Sequence, residues 1–409
     1  MSRVTYLSFP VSGHINPSLS LITELVRRGE HVNYYALERF RPVIEATGAT
    51  FCAYRFDEAF PEQGPGPFAQ FDTTVDVLLT LSHSVLAHHL EAVRSFQPAY
   101  IIHDSFAPWG RFLAQVLHLP TVVSVPSIAV NQQIAEGQAG IQQMNDTQAA
   151  PLPAWWEHTQ QRLAALAGQF GLPRLYNPYE LLHAYGDLNF VYTSRLFQPL
   201  ADSFDTEHFQ FVGPCLRTPL SSEEPAFPFE ALDERPLLYI SLGTAYNDRA
   251  IFFQTCMEAF ADSLWQVVMA IGQTPRTALE TVPDNFIVQA SVPQLDLLRR
   301  TTLFITHGGM NSVSEALFSD VPLLIVPQWA DQFWIAQRAA ELGAAQVLPN
   351  EQVTSEQLRQ SVEHIAAHRE YAEAARKIGT SLRMAGGVQK AVDVIEAFKQ
   401  ASEREEKQS

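Results

Sequence analysis

Apolar positions along the chain fall into short blocks separated by amphipathic stretches, and the alternation repeats. Residues 4–9 (Val-Thr-Tyr-Leu-Ser-Phe) form a compact apolar run of the kind a parallel strand needs when both of its faces are covered. After it, Gly13 predicts a turn, Asn16 a helix N-cap and Pro17 the first helical position. Leu19, Ile22, Leu25 and Val26 then recur at helical spacing until Arg27, Arg28 and Gly29 close the helix. Residues 31–37, 99–103 and 121–125 read as further strands, with a helix over 109–117 between the last two. The second half begins alike, with a strand at 237–241, a turn at 242–247 and a helix from about 250 to 260. Strands at 266–271, 286–289, 303–306, 323–326 and 345–347 follow, each with a helical segment after it or nearby. Strands alternating with helices predict an α/β chain with two doubly wound parallel sheets.

Punctuation between these blocks sets the expected domains. Residues 213–234 carry Pro214, Pro219, Pro225 and Pro228 with little periodicity, the composition of a linker. The expected division is 1–212, a linker at 213–234, and 235–387. A helix at 388–400 and a tail at 402–409 complete the chain and are expected to pack back toward the N-terminal domain. Residues 351–367 read as helix, 60–71 as a Pro- and Gly-rich loop, and 131–178 as a mostly helical insertion interrupted by Pro151 and Pro153.

Composition narrows the function. The 409 residues are 46% hydrophobic and 17% charged, enough to fill two cores and exclude disorder. The formal net charge of −17 repels phosphate backbones and anionic lipid surfaces, so nucleic acid is not expected as a partner. An anionic small ligand must then be held by local donors such as helix N-termini. Three scattered cysteines suggest neither disulfides nor a thiolate metal site, and no apolar run is long enough for a membrane span. A soluble, cytoplasmic protein, monomer or homodimer, is the expectation.

In open α/β sheets ligands bind beyond the carboxyl ends of the strands, which singles out His14, Asp104, residues 241–247 and residues 307–315. The run Phe304-Ile-Thr-His-Gly-Gly-Met-Asn-Ser-Val-Ser-Glu315 is the most informative. Gly308 and Gly309 let backbone approach a ligand, Asn311 and Ser312 open a helix, and the N–H groups there can cradle a diphosphate with His307 donating from one side. Glu315, one turn on, can take two ribose hydroxyls; the plainer alternative is a capped helix with a satisfied histidine. Neither a G-x-G-x-x-G fingerprint nor a P-loop occurs. His83, His88 and His89 have the wrong spacing for a metal site, so no metal is expected. His14 and Asp104 read in two ways: a loop histidine and a cap before Pro108, or a dyad in which the carboxylate orients an imidazole base.

Several segments together carry a family likeness: Gly13-His14-Ile15-Asn16-Pro17, His103-Asp104-Ser105, Ser241-Leu242-Gly243-Thr244, and the stretch from Val292-Pro293-Gln294 through His307-Gly-Gly-Met-Asn-Ser312 to Pro327-Gln-Trp-Ala-Asp-Gln332. The chain resembles the inverting family 1 glycosyltransferases of the GT-B fold, particularly the bacterial macrolide and flavonoid group, over nearly its whole length. The resemblance implies two Rossmann-like domains facing each other across a cleft, with His14 as general base and Asp104 as its orienting partner. It implies that Thr244, His307, Gly309, Asn311 and Ser312 bind the donor diphosphate and that Glu315 meets the ribose. Val292 would offer backbone groups to uracil with Gln294 nearby, and Asp331 and Gln332 would hold sugar hydroxyls. Many relatives place an aromatic ring where this chain has Ser291, and Tyr246 is the candidate substitute for stacking on the base.

The implied reaction moves a sugar, expected to be glucose, from a UDP-sugar co-substrate to a hydroxyl of a hydrophobic small molecule, giving a β-glycoside with no cofactor. Phe60, Phe68, Leu78 and Ile141 are the candidate acceptor contacts, with core filling as the alternative for each. A sugar-nucleotide epimerase and a non-catalytic partner of the same architecture are the competing classes; the latter has no need of His14 and Asp104. An NAD-dependent oxidoreductase lacks its glycine fingerprint.

Overall fold

The apolar blocks become two parallel sheets. The computed structural model describes residues 2–60, 71–131, 133–134, 154–173, 178–216, 226–243, 249–279, 281–350 and 353–406. The chain divides into two compact units, Met1–Leu220 with Ala385–Ser409, and Ser221–Met384.

The first unit holds β1 (Arg3–Leu7), β2 (His31–Ala36), β3 (Thr50–Ala53), β4 (Tyr100–Asp104), β5 (Thr121–Val125), β6 (Leu188–Val191) and β7 (Phe209–Phe211). They pair in the order β3-β2-β1-β4-β5-β6-β7, and every pair is parallel. The period-2 alternation of a strand decides which layer each residue feeds. Tyr6 packs with Tyr34, Ile102 and the helix Ser12–Arg27 (Ile15, Leu19, Ile22), whereas its neighbour Leu7 packs on the opposite face with Ile101, Trp109 and Phe112. The helix Gly387–Glu406 contributes Ala391, Val392 and Ile395 to the Tyr6 layer, so the end of the chain completes the core of its beginning. Ion pairs from Arg28 to Asp393 (2.6 Å) and from Lys399 to Glu30 fasten it at the surface.

The second unit holds β8 (Leu237–Ser241), β9 (Gln266–Ala270), β10 (Phe286–Gln289), β11 (Leu303–Thr306), β12 (Leu323–Ile325) and β13 (Ala345–Val347), all parallel in the order β10-β9-β8-β11-β12-β13. One layer joins Leu238, Ile240 and Leu242 to Phe253, Met257 and Phe260 of the helix Ala250–Phe260 and to Leu358, Val362 and Ile365 of the helix Ser355–Ala367. Thr354 caps the latter through a reciprocal box with Gln357, an arrangement that stabilises a helix by about 1 kcal/mol.

In both sheets the strand order reverses beside the opening strand, between β1 and β4 and between β8 and β11. Such a switch point splays the loops that leave its two strands and opens a crevice at their carboxyl ends.

The local expectations need three corrections. The first helix begins at Ser12 with Val11 as its N-cap, so Asn16 is no cap and Pro17 lies inside the helix. Its missing N–H costs one bond, to the Gly13 carbonyl, close enough to the helix start to be tolerated. Asp104 closes β4 rather than following it. The final helix runs to Glu406, through part of the segment read as a tail.

Candidate active site

At the first switch point, the earlier helix start places His14 in the first turn directly after β1. Leu7 of β1 pairs with His103 of β4, so the two strands end side by side. His14 Nδ1 lies 3.0 Å from Oδ1 and 2.9 Å from Oδ2 of Asp104. The carboxylate is 1% exposed and the imidazole 26%, so the pair is dry on the Asp104 side while the imidazole reaches solvent. Asp104 Oδ1 also accepts the Phe106 backbone N–H at 2.7 Å, which fixes the carboxylate plane. A carboxylate can only accept, so Nδ1 carries the proton and the basic lone pair resides on Nε2. The structure brings the two side chains into direct contact, as the pairing of these residues requires.

Aromatic rings flank the imidazole. The His14 ring lies 5.1 Å from the Phe9 ring and 6.0 Å from the Phe106 ring between centroids, and Phe60 packs edge-on against Phe9 at 5.6 Å. Phe9 and Phe106 were not among the expected contacts, although Phe9 was legible as the last apolar residue of the opening run. Leu78, expected as an acceptor contact, is fully buried with Val75 and Leu79 in the core. Phe68 and Ile141 lie outside the described residues. Beneath the dyad, His103 Nδ1 donates to the Asp104 carbonyl at 2.9 Å, and burial pushes its pKa down to about 4.

At the second switch point, β11 hands over through His307, Gly308 and Gly309 to the helix Met310–Phe318, whose N-cap is Gly309. His307 is half-buried, and desolvation lowers its pKa to about 4, so its ring is neutral near pH 7. Two glycines press on that ring. A Cβ on Gly243 would stand 2.5 Å from His307 Cε1, and one on Gly309 would stand 2.4 Å from Nε2, closer than any side chain tolerates. Gly243 also has φ +76°, a conformation that disfavours other residues. His307 is thus wedged where it faces a helix start whose first N–H groups have no intrahelical partner.

Around this turn, Gln294 Nε2 donates to Glu315 Oε2 at 2.6 Å, and the Tyr239 hydroxyl donates to Gln294 Oε1 at 2.9 Å. Gln294, Ser312 and Glu315 therefore come together as a group, Ser312 Oγ lying 3.5 Å from the same amide nitrogen. Val292 is buried just before them and Asn311 is half-buried in the first helical turn. Asp331 occupies the N-cap position of the helix Gln332–Glu341 without a side-chain cap bond. Gln332 is buried, and its Oε1 accepts the backbone N–H of Gln328 at 2.8 Å and of Trp329 at 3.3 Å, which holds the preceding loop in shape. Arg249 Nη2 donates to Gln328 Oε1 at 2.6 Å, a second tie on that loop. Thr244 and Tyr246 lie outside the described residues. Among the described residues no group of His, Cys, Asp or Glu side chains could hold a metal ion, and no helix is long and apolar enough to cross a membrane.

Two doubly wound units, each with polar groups gathered at its switch point, define the GT-B class of sugar-transferring enzymes. The protein of known structure solved as the glycotransferase of kitacinnamycin superposes with a TM-score of 0.81 at 29% identity, over 97% of this chain and 98% of that one. The UDP-glucosyltransferase YojK of Bacillus subtilis is 35% identical over 408 residues, 98% of this chain and 99% of its own length. The NDP-glycosyltransferase YjiC of the same organism is 33% identical over 402 residues, 98% of each chain. Residues 254–387 match the family described as Erythromycin biosynthesis protein CIII-like, C-terminal domain. The chain belongs to the bacterial family 1 glycosyltransferases.

Proposed function

We propose that this glycosyltransferase moves a glucosyl unit from UDP-glucose to a hydroxyl of a hydrophobic small molecule, with inversion and without a metal ion. The observation that carries the reading is the His14–Asp104 pair: a base with a fixed tautomer, backed by a buried carboxylate and edged by Phe9 and Phe106. The acceptor hydroxyl gives its proton to His14 Nε2 as its oxygen bonds to the anomeric carbon. The bond from that carbon to the diphosphate oxygen breaks on the opposite face, and its electron pair leaves with UDP. A single displacement converts an α-linked donor into a β-glycoside.

Charge growing on the diphosphate falls to the N–H groups at Gly309, Asn311 and Ser312, to neutral His307 and to Thr244. Glu315 takes the ribose hydroxyls with Gln294 beside it, Val292 offers backbone groups to the base, and Tyr246, outside the described residues, is the candidate aromatic for the base in place of the ring that Ser291 lacks. Asp331 receives sugar hydroxyls. Gln332 contributes its amide nitrogen, since its oxygen is held by backbone N–H groups. The name of the relative YjiC, an NDP-glycosyltransferase, supports a base contact that admits more than uracil.

The test is mass spectrometry of reactions holding UDP-glucose, EDTA and a panel of flavonoids and macrolides. A hexose-sized mass gain with the wild-type protein, absent with His14→Ala, is the expected result. Turnover that needs an added divalent cation would overturn the metal-free reading, and a gain that survives His14→Ala would overturn the base.

A further inference from the structure

Tyr239 is the middle residue of β8, a strand buried along its whole length, and its ring stacks on Phe304 of β11 with centroids 4.4 Å apart and planes 12° from parallel. A phenol in such a place must find a partner for its hydroxyl. It finds Gln294 Oε1 at 2.9 Å, and the same amide reaches Glu315 Oε2 through Nε2 at 2.6 Å. The chemistry of the end group sets the direction of the whole chain. A carboxylate accepts and cannot donate, so the amide turns its nitrogen to Glu315 and its oxygen to Tyr239, and the phenol must donate. Burial raises the Tyr239 pKa above its ordinary value, which keeps that proton in place.

We propose that Tyr239 is a positioning residue for nucleoside recognition: acting through the Gln294 amide, it orients Glu315 and so sets how strongly the enzyme prefers a donor with a ribose 2′-hydroxyl over a 2′-deoxy donor. The inference rests on the reading of Glu315 as the ribose contact. Without the phenol hydroxyl, the half-buried Gln294 Oε1 loses the donor that fixes it, and the amide is free to turn over. The turned amide sets an oxygen against the Glu315 carboxylate, which then swings away. The sugar-transfer chemistry does not pass through this chain, so the effect belongs in donor affinity rather than in turnover.

Calorimetric titration of UDP and 2′-deoxy-UDP, which share one base, reads this directly. Wild type is expected to prefer UDP, and Tyr239→Phe, which keeps the ring stack on Phe304, to lower that preference about fivefold, the worth of one neutral hydrogen bond. At saturating UDP-glucose its kcat is expected to stay within about twofold of wild type while the donor KM rises, a split that general damage to the fold does not produce. Gln294→Met breaks the middle link and is expected to lower the preference for UDP over 2′-deoxy-UDP at least as far as Tyr239→Phe does. Glu315→Ala should abolish the preference, and adding Tyr239→Phe to it should change nothing further. If Glu315→Ala abolishes the preference and Tyr239→Phe leaves it intact, the inference fails and the ribose reading stands. If Glu315→Ala keeps the preference, the ribose reading itself fails, and the inference with it.

Discussion

The two switch points occupy the same topological place and solve opposite problems. Between β1 and β4 the chain installs a full charge in a dry place and lets it act on one imidazole nitrogen. Between β8 and β11 the Glu315 carboxylate is turned to the Gln294 amide, and the turn itself is built from a neutral histidine, two glycines and a helix start. A base that must hold a proton for an instant needs a counter-ion to steady the imidazolium. A site that must admit a doubly charged group and release it again is better served by fixed dipoles, which bind the anion without a cation to be neutralised. In a chain of net charge −17, an anion must be held by such local groups against the overall field.

The contrast breaks most visibly at His14. His14→Ala is expected to lower kcat by about 10³-fold, the usual range for losing a general base, with UDP affinity unchanged by calorimetry. Asp104→Asn, which leaves a side chain able to donate at Nδ1 and so stabilise the wrong tautomer, should cost roughly 10²-fold or more in kcat with the same unchanged affinity. An equal loss of UDP binding in either variant would dissolve the division of labour. Gly309→Ala is the reciprocal experiment. Its methyl would sit 2.4 Å from His307 Nε2, so the ring must move. We expect a donor KM raised about tenfold with the acceptor KM unmoved, and a rise in the acceptor KM instead would count against the donor assignment.

The smallest expected effect is one of pH. His89, His103, His183 and His307 are all pushed by burial to about 4 from an ordinary value of 6.5. The unfolded chain takes up these protons as pH falls through about 6.5, and the folded chain resists until about 4. Their contribution to stability is therefore intact at pH 7 and is lost progressively between about 6.5 and 4. Three of the four belong to the unit built on β1, so hydrogen exchange should show that unit losing protection first as pH falls through this window. Loss that starts in the other unit, or above pH 7, would contradict the assignment.

The central strands of both sheets and the meeting of His14 with Asp104 were legible in the sequence because their signals are local: apolar blocks of strand length and polar residues at the ends of strands. The strands β3, β6 and β7 escaped notice because they lie outward of β1 and β4–β5, where short runs blend into loop composition. The first helix was misplaced because Asn16 and Pro17 form a good local start signal, and tertiary contacts outweigh it: Ile15 is buried and His14 is bonded across the sheet to Asp104. The triad of Tyr239, Gln294 and Glu315 was half visible. Gln294 and Glu315 lie in the recognisable motifs, while Tyr239 sits in the middle of an apolar strand and reads there as packing. Only the fold brings its hydroxyl to the amide.

The helix Gly387–Glu406 has one further consequence, for the order in which this protein is made. Its Ala391, Val392 and Ile395 belong to the core that surrounds Tyr6 and Ile15, so the contacts that close the first unit span nearly the full length of the chain. During synthesis all the strands of the second unit emerge before the first unit has its last layer. Until then the side of the helix Ser12–Arg27 that packs against this last helix lacks its cover and is open to whatever else is in the cell. The domain that begins first is thus the one that finishes last.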